Sequence, residues 1–294
     1  IRKIDSVDGT EIQINWALDD RSPIRDALNA SAFSLNNLES LQADLVTTAE
    51  DCLLFLKNLK SIEILQNGKR VSFVSKTVDN EKNINLYFER KKKNEKWYVV
   101  HLDAKDEAYS LKEKFAAIEK LDRQTTMQIA FRLDGKGELS GRLFAYLPTE
   151  QRSPLPCHIN ADFFPEQTRK SLVLSGEQHE RYWNEMLLSF AAQEIATRLE
   201  DLRDILGFAG LWALISEAYK NRNHVNFGIF WKEISNALSN VEIYWTSSEK
   251  WSYQADCMLL DSKYSVEHEE SLDDIGITTV HTLMRPFKSA MVAA

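Results

Sequence analysis

The sequence is poor in residues on which several common classes of site depend. Only 10 glycines and 3 cysteines occur among its 294 residues. No GxxxxGK[ST] string is present, so the chain lacks a P-loop for cradling phosphate. Cys52, Cys157 and Cys257 lie far apart and form no CxxC pair, which argues against both a disulfide framework and a zinc site. We therefore interpret them as reduced cysteines of a cytoplasmic protein.

Long apolar runs and an excess of positive charge are missing as well. The longest apolar run, residues 206–215, has about half the length that a membrane-spanning helix needs, so we expect no membrane insertion. The formal net charge is −8, which argues against a general nucleic-acid surface. The 6 histidines form no HxH or HExxH set, and the sequence therefore predicts no metal site.

Core-forming and charged residues are present in quantity. Hydrophobic residues make up 44% of the chain and charged residues 27%, a composition typical of folded domains. The length favours two domains or subdomains over one. Strand-like runs alternate with amphipathic helical stretches, and this order predicts an α/β fold with a mixed, mostly antiparallel sheet.

Several local signals predict individual turns and helices. The Asn67-Gly68 pair lies between two strand-like runs and predicts a tight hairpin, because Asn-Gly readily adopts the positive φ angles of such a turn. A second hairpin is predicted around residues 90–94, and another turn at residues 133–138. Capping-box spacing between Thr47 and Glu50 predicts that a short helix begins there. Residues 105–121 carry one apolar stripe and predict a further helix.

The second half of the chain predicts a change from strands to helices and back. Apolar residues recur at helical spacing from residue 181 to residue 219, which predicts two packed helices with a break permitted at Gly207 and Gly210. Beyond these helices, residues 223–294 combine one aromatic-rich helix with short strand-like runs. We interpret them as a second, smaller α/β unit.

The most informative stretch is residues 143–172. It predicts a strand that ends at Pro148, a loop, a second strand that ends at Pro165, and then the basic pair Arg169-Lys170. Gln167 or Thr168 could begin a helix with the two cations in its first turn, where they oppose the helix dipole and suggest an anionic partner from outside. The alternative is a solvated loop with two ordinary surface charges.

This stretch resembles a known family. The strings FAYLPTE at 144–150, LPCHINADF at 155–163 and TRKSL at 168–172 are similar to the region downstream of the ATPase domain in sacsin-type proteins of the GHKL class. That class includes the ninety-kilodalton heat-shock chaperone and the gyrase-like ATPases. Three further patches fit the same resemblance: WNEMLL at 183–188, LLFLKNLKSIEI at 53–64 and DGTEIQI at 8–14.

The resemblance implies a region like the middle segment of the chaperone. In that family the middle segment reaches an arginine across to the γ-phosphate of ATP and also offers surface to client proteins. The motif places this arginine at Arg169, with Lys170 beside it, and these two are the candidate catalytic residues. The chain departs from the chaperone at residues 161–164, where Ala-Asp-Phe-Phe replaces a serine-arginine run.

The nucleotide-binding elements of the class are absent from this sequence. There is no Asn/Glu helix, no Asp-x-Gly-x-Gly turn and no glycine-rich lid, so we expect this stretch to bind no cofactor and to be no enzyme alone. Since Ile1 is not a methionine and lies inside the family pattern, the chain is expected to be a fragment of a longer protein. For that longer protein the resemblance implies an ATPase that uses ATP and magnesium.

The implied partners are the N-terminal ATPase domain of the same chain and a client or partner protein, and a homodimer of the longer protein is left open. The implied organisation has four parts: the end of an upstream ATPase domain or a linker from it at 1–20, a larger α/β subdomain at 21–180, a helical connector at 181–222 and a smaller α/β subdomain at 223–294. The alternative function is a non-catalytic interaction scaffold, in which Arg169 and Lys170 bind an acidic protein patch.

Overall fold

The computed structural model describes residues 34–66, 68–134, 140–176, 178–259, 278–281 and 286–293, and the single residues 23, 27 and 272. The chain divides into two compact units, Ile1–Asp51 and Cys52–Ala294. The predicted linker at 1–20 and the family patch at 8–14 lie outside the described residues, as does most of the predicted turn at 133–138. The subdomain boundaries predicted at 181–222 and 223–294 stay a prediction.

Helix α1, Leu35–Cys52, forms most of the described part of the first unit. Its N-terminus is capped reciprocally, because the Asn37 N–H donates to Ser34 Oγ at 3.2 Å and the Ser34 N–H donates to Asn37 Oδ1 at 3.0 Å. The predicted helix start at Thr47 is therefore wrong. Thr47 lies inside the helix, where its hydroxyl donates back to the Ala43 carbonyl at 3.0 Å, the bond that a mid-helix threonine commonly makes.

An eight-stranded sheet dominates the second unit. Its strands in chain order are β1 Ser61–Gln66, β2 Lys69–Val78, β3 Asn83–Phe88, β4 Lys93–Asp103, β5 Thr126–Arg132, β6 Arg142–Ala145, β7 Leu147–Arg152 and β8 Cys157–Ala161. Their order across the sheet is β1-β2-β3-β4-β5-β8-β6-β7. Only the β6 and β8 neighbours run parallel. The prediction of an α/β fold with a mixed, mostly antiparallel sheet is confirmed.

Apolar side chains cover both faces of the sheet. Along β5, Ile129 and Phe131 belong to one buried cluster and Ala130 belongs to another, as the alternation of side chains along a strand requires. The predicted hairpin joins β1 to β2, with Gln66 paired to Lys69 and a φ of 74° at Gly68, while Asn67 lies outside the described residues. The second predicted hairpin joins β3 to β4. Both hairpin predictions are confirmed.

Helices occupy the connections and most of the chain after the sheet. They are α2 Lys105–Lys114, α3 Ala116–Lys120, α4 His179–Ala196, α5 Leu199–Lys220, α6 Gly228–Leu238 and α7 Lys288–Val292. The single helix predicted at 105–121 is split at Phe115, whose backbone is extended with φ −125° and ψ 97°. Two helices do cover the stretch 181–219, but they separate at Thr197 and Arg198, and Gly207 instead kinks α5 with a φ of 68°.

A small second sheet lies close to the kinked helix. Strands β9 Tyr244–Trp245 and β10 Trp251–Ser252 pair antiparallel and are shorter than the strands that the sequence predicts there. The indole N–H of Trp212 in α5 donates to the Ile243 carbonyl at 2.8 Å. Buried residues of the main sheet, of α4 to α6 and of this small sheet belong to one continuous apolar cluster. Within the described part of the chain, no helix is both long and apolar enough to span a bilayer.

Gly141, at the entry to β6, should tolerate no side chain. A Cβ atom added there would lie 2.1 Å from the carbonyl oxygens of Leu155 and Cys157, and backbone atoms cannot move aside as a side chain can. We expect Gly141→Ala to lower the free energy of unfolding by about 3 kcal/mol or more. Urea denaturation measures this loss, with the exposed neighbour Ser140→Ala as a control. An unchanged midpoint for Gly141→Ala would contradict the predicted close approach.

Candidate functional site

The residues that carry Arg169 and Lys170 form a hairpin rather than a helix. We call residues 164–173 the basic hairpin. Its arms are joined by hydrogen bonds from the Val173 N–H to the Phe164 carbonyl at 3.0 Å and from the Glu166 N–H to the Ser171 carbonyl at 2.8 Å. Of the two alternatives left open at Gln167 and Thr168, the helix start is not formed and the loop is, because Pro165 and Leu172 pair as an antiparallel bridge and residues 166–169 reverse the chain.

Two fully buried side chains of α4 hold the base of the basic hairpin. The amide of Asn184 accepts from the Phe164 N–H at 2.8 Å and donates to the carbonyls of Phe164 at 2.8 Å and Val173 at 3.0 Å. The indole N–H of its neighbour Trp183 donates to the Asp162 carbonyl at 2.9 Å. Helix α4 thus provides partners for the Phe164 N–H and the Val173 carbonyl, one group on each arm of the hairpin, and a second bond to the Phe164 carbonyl, as buried backbone groups require.

The edge strand β7 supports one side of the basic hairpin. The Glu150 N–H donates to the Lys170 carbonyl at 2.9 Å, and the Leu172 N–H donates to the side chain of Gln151 at 2.7 Å. Lys170 Nζ also lies 3.3 Å from Glu150 Oε1, but these two side chains are 64% and 69% exposed. An ion pair so exposed adds little stability, so backbone bonds position the hairpin on this side.

Arg169 occupies the exposed tip of the basic hairpin in a constrained conformation. Its φ is 56°, a left-handed value that is uncommon for residues other than glycine. One terminal nitrogen, Nη2, donates to the Ala145 carbonyl at 3.2 Å. A guanidinium has five N–H donors, so this single bond orients the side chain while the other donors can meet an external acceptor.

Tyr146 follows Ala145, whose carbonyl accepts from Arg169, and it also has a positive φ, 63°. Such a value is an outlier for a bulky side chain and costs roughly 1–3 kcal/mol. The amide oxygen of Asn160 accepts from the Tyr146 N–H at 3.0 Å, and the amide nitrogen of Asn160 donates to Gln128 at 3.0 Å. Asn160 is only 5% exposed. It therefore fixes the strained turn that presents the Ala145 carbonyl to Arg169.

A second polar group lies beside this turn. The carboxylate of Asp162 accepts from the guanidinium of Arg123 and from the Gln124 N–H at 3.0 Å. The guanidinium carbon of Arg123 lies 3.6 Å from the ring centre of Phe164, at the hairpin base, a cation–π distance. Burial raises the pKa of the Tyr146 phenol, and the nearby charge of Asp162 adds to the rise while Arg123 opposes it.

Cys157 and His158 do not form a nucleophile–base pair. They are adjacent on a strand, and adjacent side chains on a strand point to opposite faces of the sheet. Cys157 belongs to the apolar cluster on the helical side of the sheet, and burial raises the pKa of its thiol to about 12. His158 stacks on Trp97 at 4.8 Å and accepts from the Arg142 N–H at 3.1 Å. Burial, with the charges of Arg142 and Arg132, lowers the pKa of His158 to about 3.

Arg169 and Lys170, which the motif singles out, are therefore adjacent on one exposed tip, with the Glu150 carboxylate 3.3 Å from Lys170 Nζ. The supporting residues Asn184, Asn160 and Tyr146 were not identified from the sequence. All three fall in the family patches, at 183–188, 155–163 and 144–150, which offered a signal for them, although nothing in the patches says which backbone groups they contact. Across the described ranges, no group of three or more His, Cys, Asp or Glu side chains is placed to hold a metal ion.

Removal of the Asn184 amide should destabilise the fold strongly. Asn184→Ala leaves the Phe164 N–H and the Val173 carbonyl without the Asn184 partner, while the Phe164 carbonyl still accepts from the Val173 N–H. Each group that loses its partner costs about 1–3 kcal/mol. We expect the free energy of unfolding to fall by about 3 kcal/mol or more in urea denaturation. Asn236→Ala is the matched control, because Asn236 is exposed on α6 and should change stability by less than about 0.5 kcal/mol. Equal effects of the two substitutions would contradict the assigned role.

Comparisons with known proteins add no relative. No protein-family model, no curated protein and no solved structure matches this chain. The resemblance to sacsin-type proteins rests on the quoted sequence patches alone, and membership of that family stays a prediction. Four of these patches, at 144–150, 155–163, 168–172 and 183–188, contribute to the site described above, where Asn160, Arg169 and Asn184 belong to three different patches.

Proposed function

We propose that this chain is the region downstream of the nucleotide-binding domain in a sacsin-like, GHKL-type ATPase. In this proposal the region supplies Arg169 to the ATP site of that domain and couples the nucleotide state to the binding of a client or partner protein, in the manner of a chaperone. Lys170 adds a second positive charge beside Arg169. ATP and magnesium belong to the upstream domain of the longer protein, which is the implied partner of the basic hairpin.

The observation that carries the proposal is the way in which Arg169 is held. Its backbone lies at the tip of a hairpin whose base is fixed by a buried amide, and its guanidinium is oriented by one backbone carbonyl. A side chain that serves only as a solvated surface charge needs neither the positive φ nor the support. An arginine that must meet a phosphate in another domain needs both, because a pre-oriented fork loses less entropy on binding.

The chemistry suits phosphoryl transfer. A guanidinium is planar, permanently charged and matched to the equatorial oxygens of a transferring phosphoryl group. Such an arginine acts on charge that develops in the transition state and can raise kcat by about a thousandfold or more.

A second candidate is the non-catalytic interaction scaffold. Tyr146 and Leu147 lie at the turn beside Arg169 and are 47% and 45% exposed. An exposed tyrosine next to an arginine is a combination that is frequent at the centres of protein interfaces. In this alternative Arg169 and Lys170 bind an acidic patch of a partner protein, and the upstream domain is degenerate or absent.

The 294-residue chain should neither bind nor hydrolyse ATP by itself. It contains no phosphate-cradling glycine loop, and the proposal places the nucleotide in the upstream domain. Isothermal titration calorimetry with magnesium-ATP at millimolar concentrations should give no saturable heat, and no phosphate should be released on incubation. Saturable binding to this chain would contradict the proposed division of roles.

Arg169→Ala in the longer protein tests the catalytic role directly. We expect kcat for ATP hydrolysis to fall by about two to three orders of magnitude while the Kd for ATP stays nearly constant, because the arginine acts mainly in the transition state. Arg169→Lys should restore little of the kcat that Arg169→Ala loses, since an ammonium keeps the charge but lacks the planar fork of the guanidinium. Steady-state kinetics and nucleotide titration measure the two quantities separately.

Lys170→Ala is the matched control for this experiment, because Lys170 is the neighbouring cation on the same tip and should have the milder effect. The scaffold alternative predicts a different pattern. Under it, Arg169→Ala leaves ATP hydrolysis at the parental rate and weakens binding to a partner protein, and that pattern would refute the arginine-finger role.

A further inference from the structure

A cleft of about 750 Å³ lies at the opposite end of the main sheet from Arg169. Arg169 contacts the last residue of β6, whereas the cleft is lined by Ser140, which precedes β6, and by Arg132 and Arg152, which end β5 and β7. The other wall is α5. The cleft is thus separate from the basic hairpin, and its volume falls in the range of small-molecule sites.

One face of α5 lines the cleft along most of the helix. Leu206, Gly210, Ala213, Glu217 and Lys220 follow one another at helical spacing and all border the cavity. Because Gly210 and Ala213 have little or no side chain, the helix leaves room in the middle of the cleft. The apolar part of the lining also includes side chains from other elements, among them Phe131, Leu214 and Phe287.

The basic side chains around the cleft differ in whether they are paired with carboxylates. The guanidinium of Arg132 lies 2.7 Å from Asp134 and 3.3 Å from Glu95, and Lys220 pairs with Glu217. Arg152 is exposed, and within the described part of the chain its guanidinium makes no hydrogen bond or ion pair. Its partner across the β6 and β7 pair is another arginine, Arg142, and two like charges directly opposite each other are unfavourable.

A hydroxyl group in the lining is also unsatisfied. Ser216 Oγ is buried and has no hydrogen-bond partner among the described residues, which is uncommon for a buried polar atom. Because this oxygen has almost no accessible surface, it reaches an acceptor in the cleft by rotation of the Ser216 side chain. The lining therefore combines an apolar surface, one cation without a counter-charge and one unused donor.

We propose that this cleft binds a small organic carboxylate. The apolar body of the ligand lies against Phe131, Leu214 and Phe287, and its carboxylate pairs with the guanidinium of Arg152, whose planar fork matches two carboxylate oxygens. A singly charged ligand is favoured over a phosphate monoester, because Arg132 and Lys220 are already paired within the protein and Glu217 adds a negative charge to the lining.

Isothermal titration calorimetry of the 294-residue chain with 2-naphthoate tests the proposal. A ligand of this size should bind with a Kd of about 1 mM. The neutral analogue 2-naphthamide has the same ring system and should bind at least about tenfold more weakly, since it cannot form the charged pair with arginine. 2-Naphthyl phosphate should bind no more tightly than 2-naphthoate.

Arg152→Gln should weaken the binding of 2-naphthoate about tenfold or more, while Arg169→Gln should leave the affinity for 2-naphthoate unchanged within about twofold. The second variant is the matched control, because it removes the same charge at the other end of the sheet. Ala213→Leu, which fills the middle of the cleft, should abolish binding of 2-naphthoate. Thermal unfolding monitored by circular dichroism verifies that each variant is folded.

Three results would overturn the proposal: no saturation by about 10 mM 2-naphthoate, an Arg152→Gln variant that binds like the parent, or 2-naphthyl phosphate binding tenfold more tightly than 2-naphthoate. If Arg152→Gln does not fold, Ala213→Leu decides, because undiminished binding in that variant places the ligand elsewhere and refutes the cleft as its site.

Discussion

The site at the basic hairpin depends on the buried amide of Asn184 more than on any other single group. One side chain of α4 bonds three backbone groups at the base of the hairpin, on both of its arms. At this base the Asn184 amide takes the part of hydrogen-bonding partner that an adjacent strand has in a sheet. Because Asn184 is fully buried, its hydrogen bonds form in a medium of low dielectric, where a polar group without a partner is costly. The position of Arg169 relative to the sheet therefore follows from the packing of a helix that begins after the hairpin in the chain.

Two arginines at opposite ends of the same sheet differ in how they are held. Arg169 is constrained in its backbone and oriented by a carbonyl, whereas Arg152 ends an edge strand and faces a cavity with an apolar lining. The first arrangement favours contact with an anion that another domain or protein presents. The second favours capture of a free ligand whose body can be buried. The sheet separates these two arginines in space, so either can be altered without direct contact with the other.

The parts of the structure that the sequence predicted correctly are those decided by residues close to one another in the sequence. The Asn67-Gly68 hairpin and the alternation along the strands depend on residues a few positions apart. The start of α1 was misplaced because Ser34 and Asn37 cap the helix and Thr47 merely imitates a cap. The sequence left a helix start and a loop open at the basic hairpin because Leu172 and Asn184, which decide its form, lie outside the local window. The Arg152 cleft depends on strand register and on the packing of α5, which no local pattern encodes.

The position of β8 in the sheet has a consequence for the order in which the protein folds. Strand β8 lies between β5 and β6, although β6 and β7 precede it in the chain. During synthesis the β6 and β7 pair can form early, but it has no backbone bonds to the rest of the sheet until β8 arrives, and the edge of β5 stays unpaired for the same interval. An unpaired edge in a buried strand invites wrong association. The basic hairpin comes directly after β8, but the Asn184 amide that holds its base lies later in the chain, in α4, so the Arg169 tip is fixed only after β8 can close the sheet.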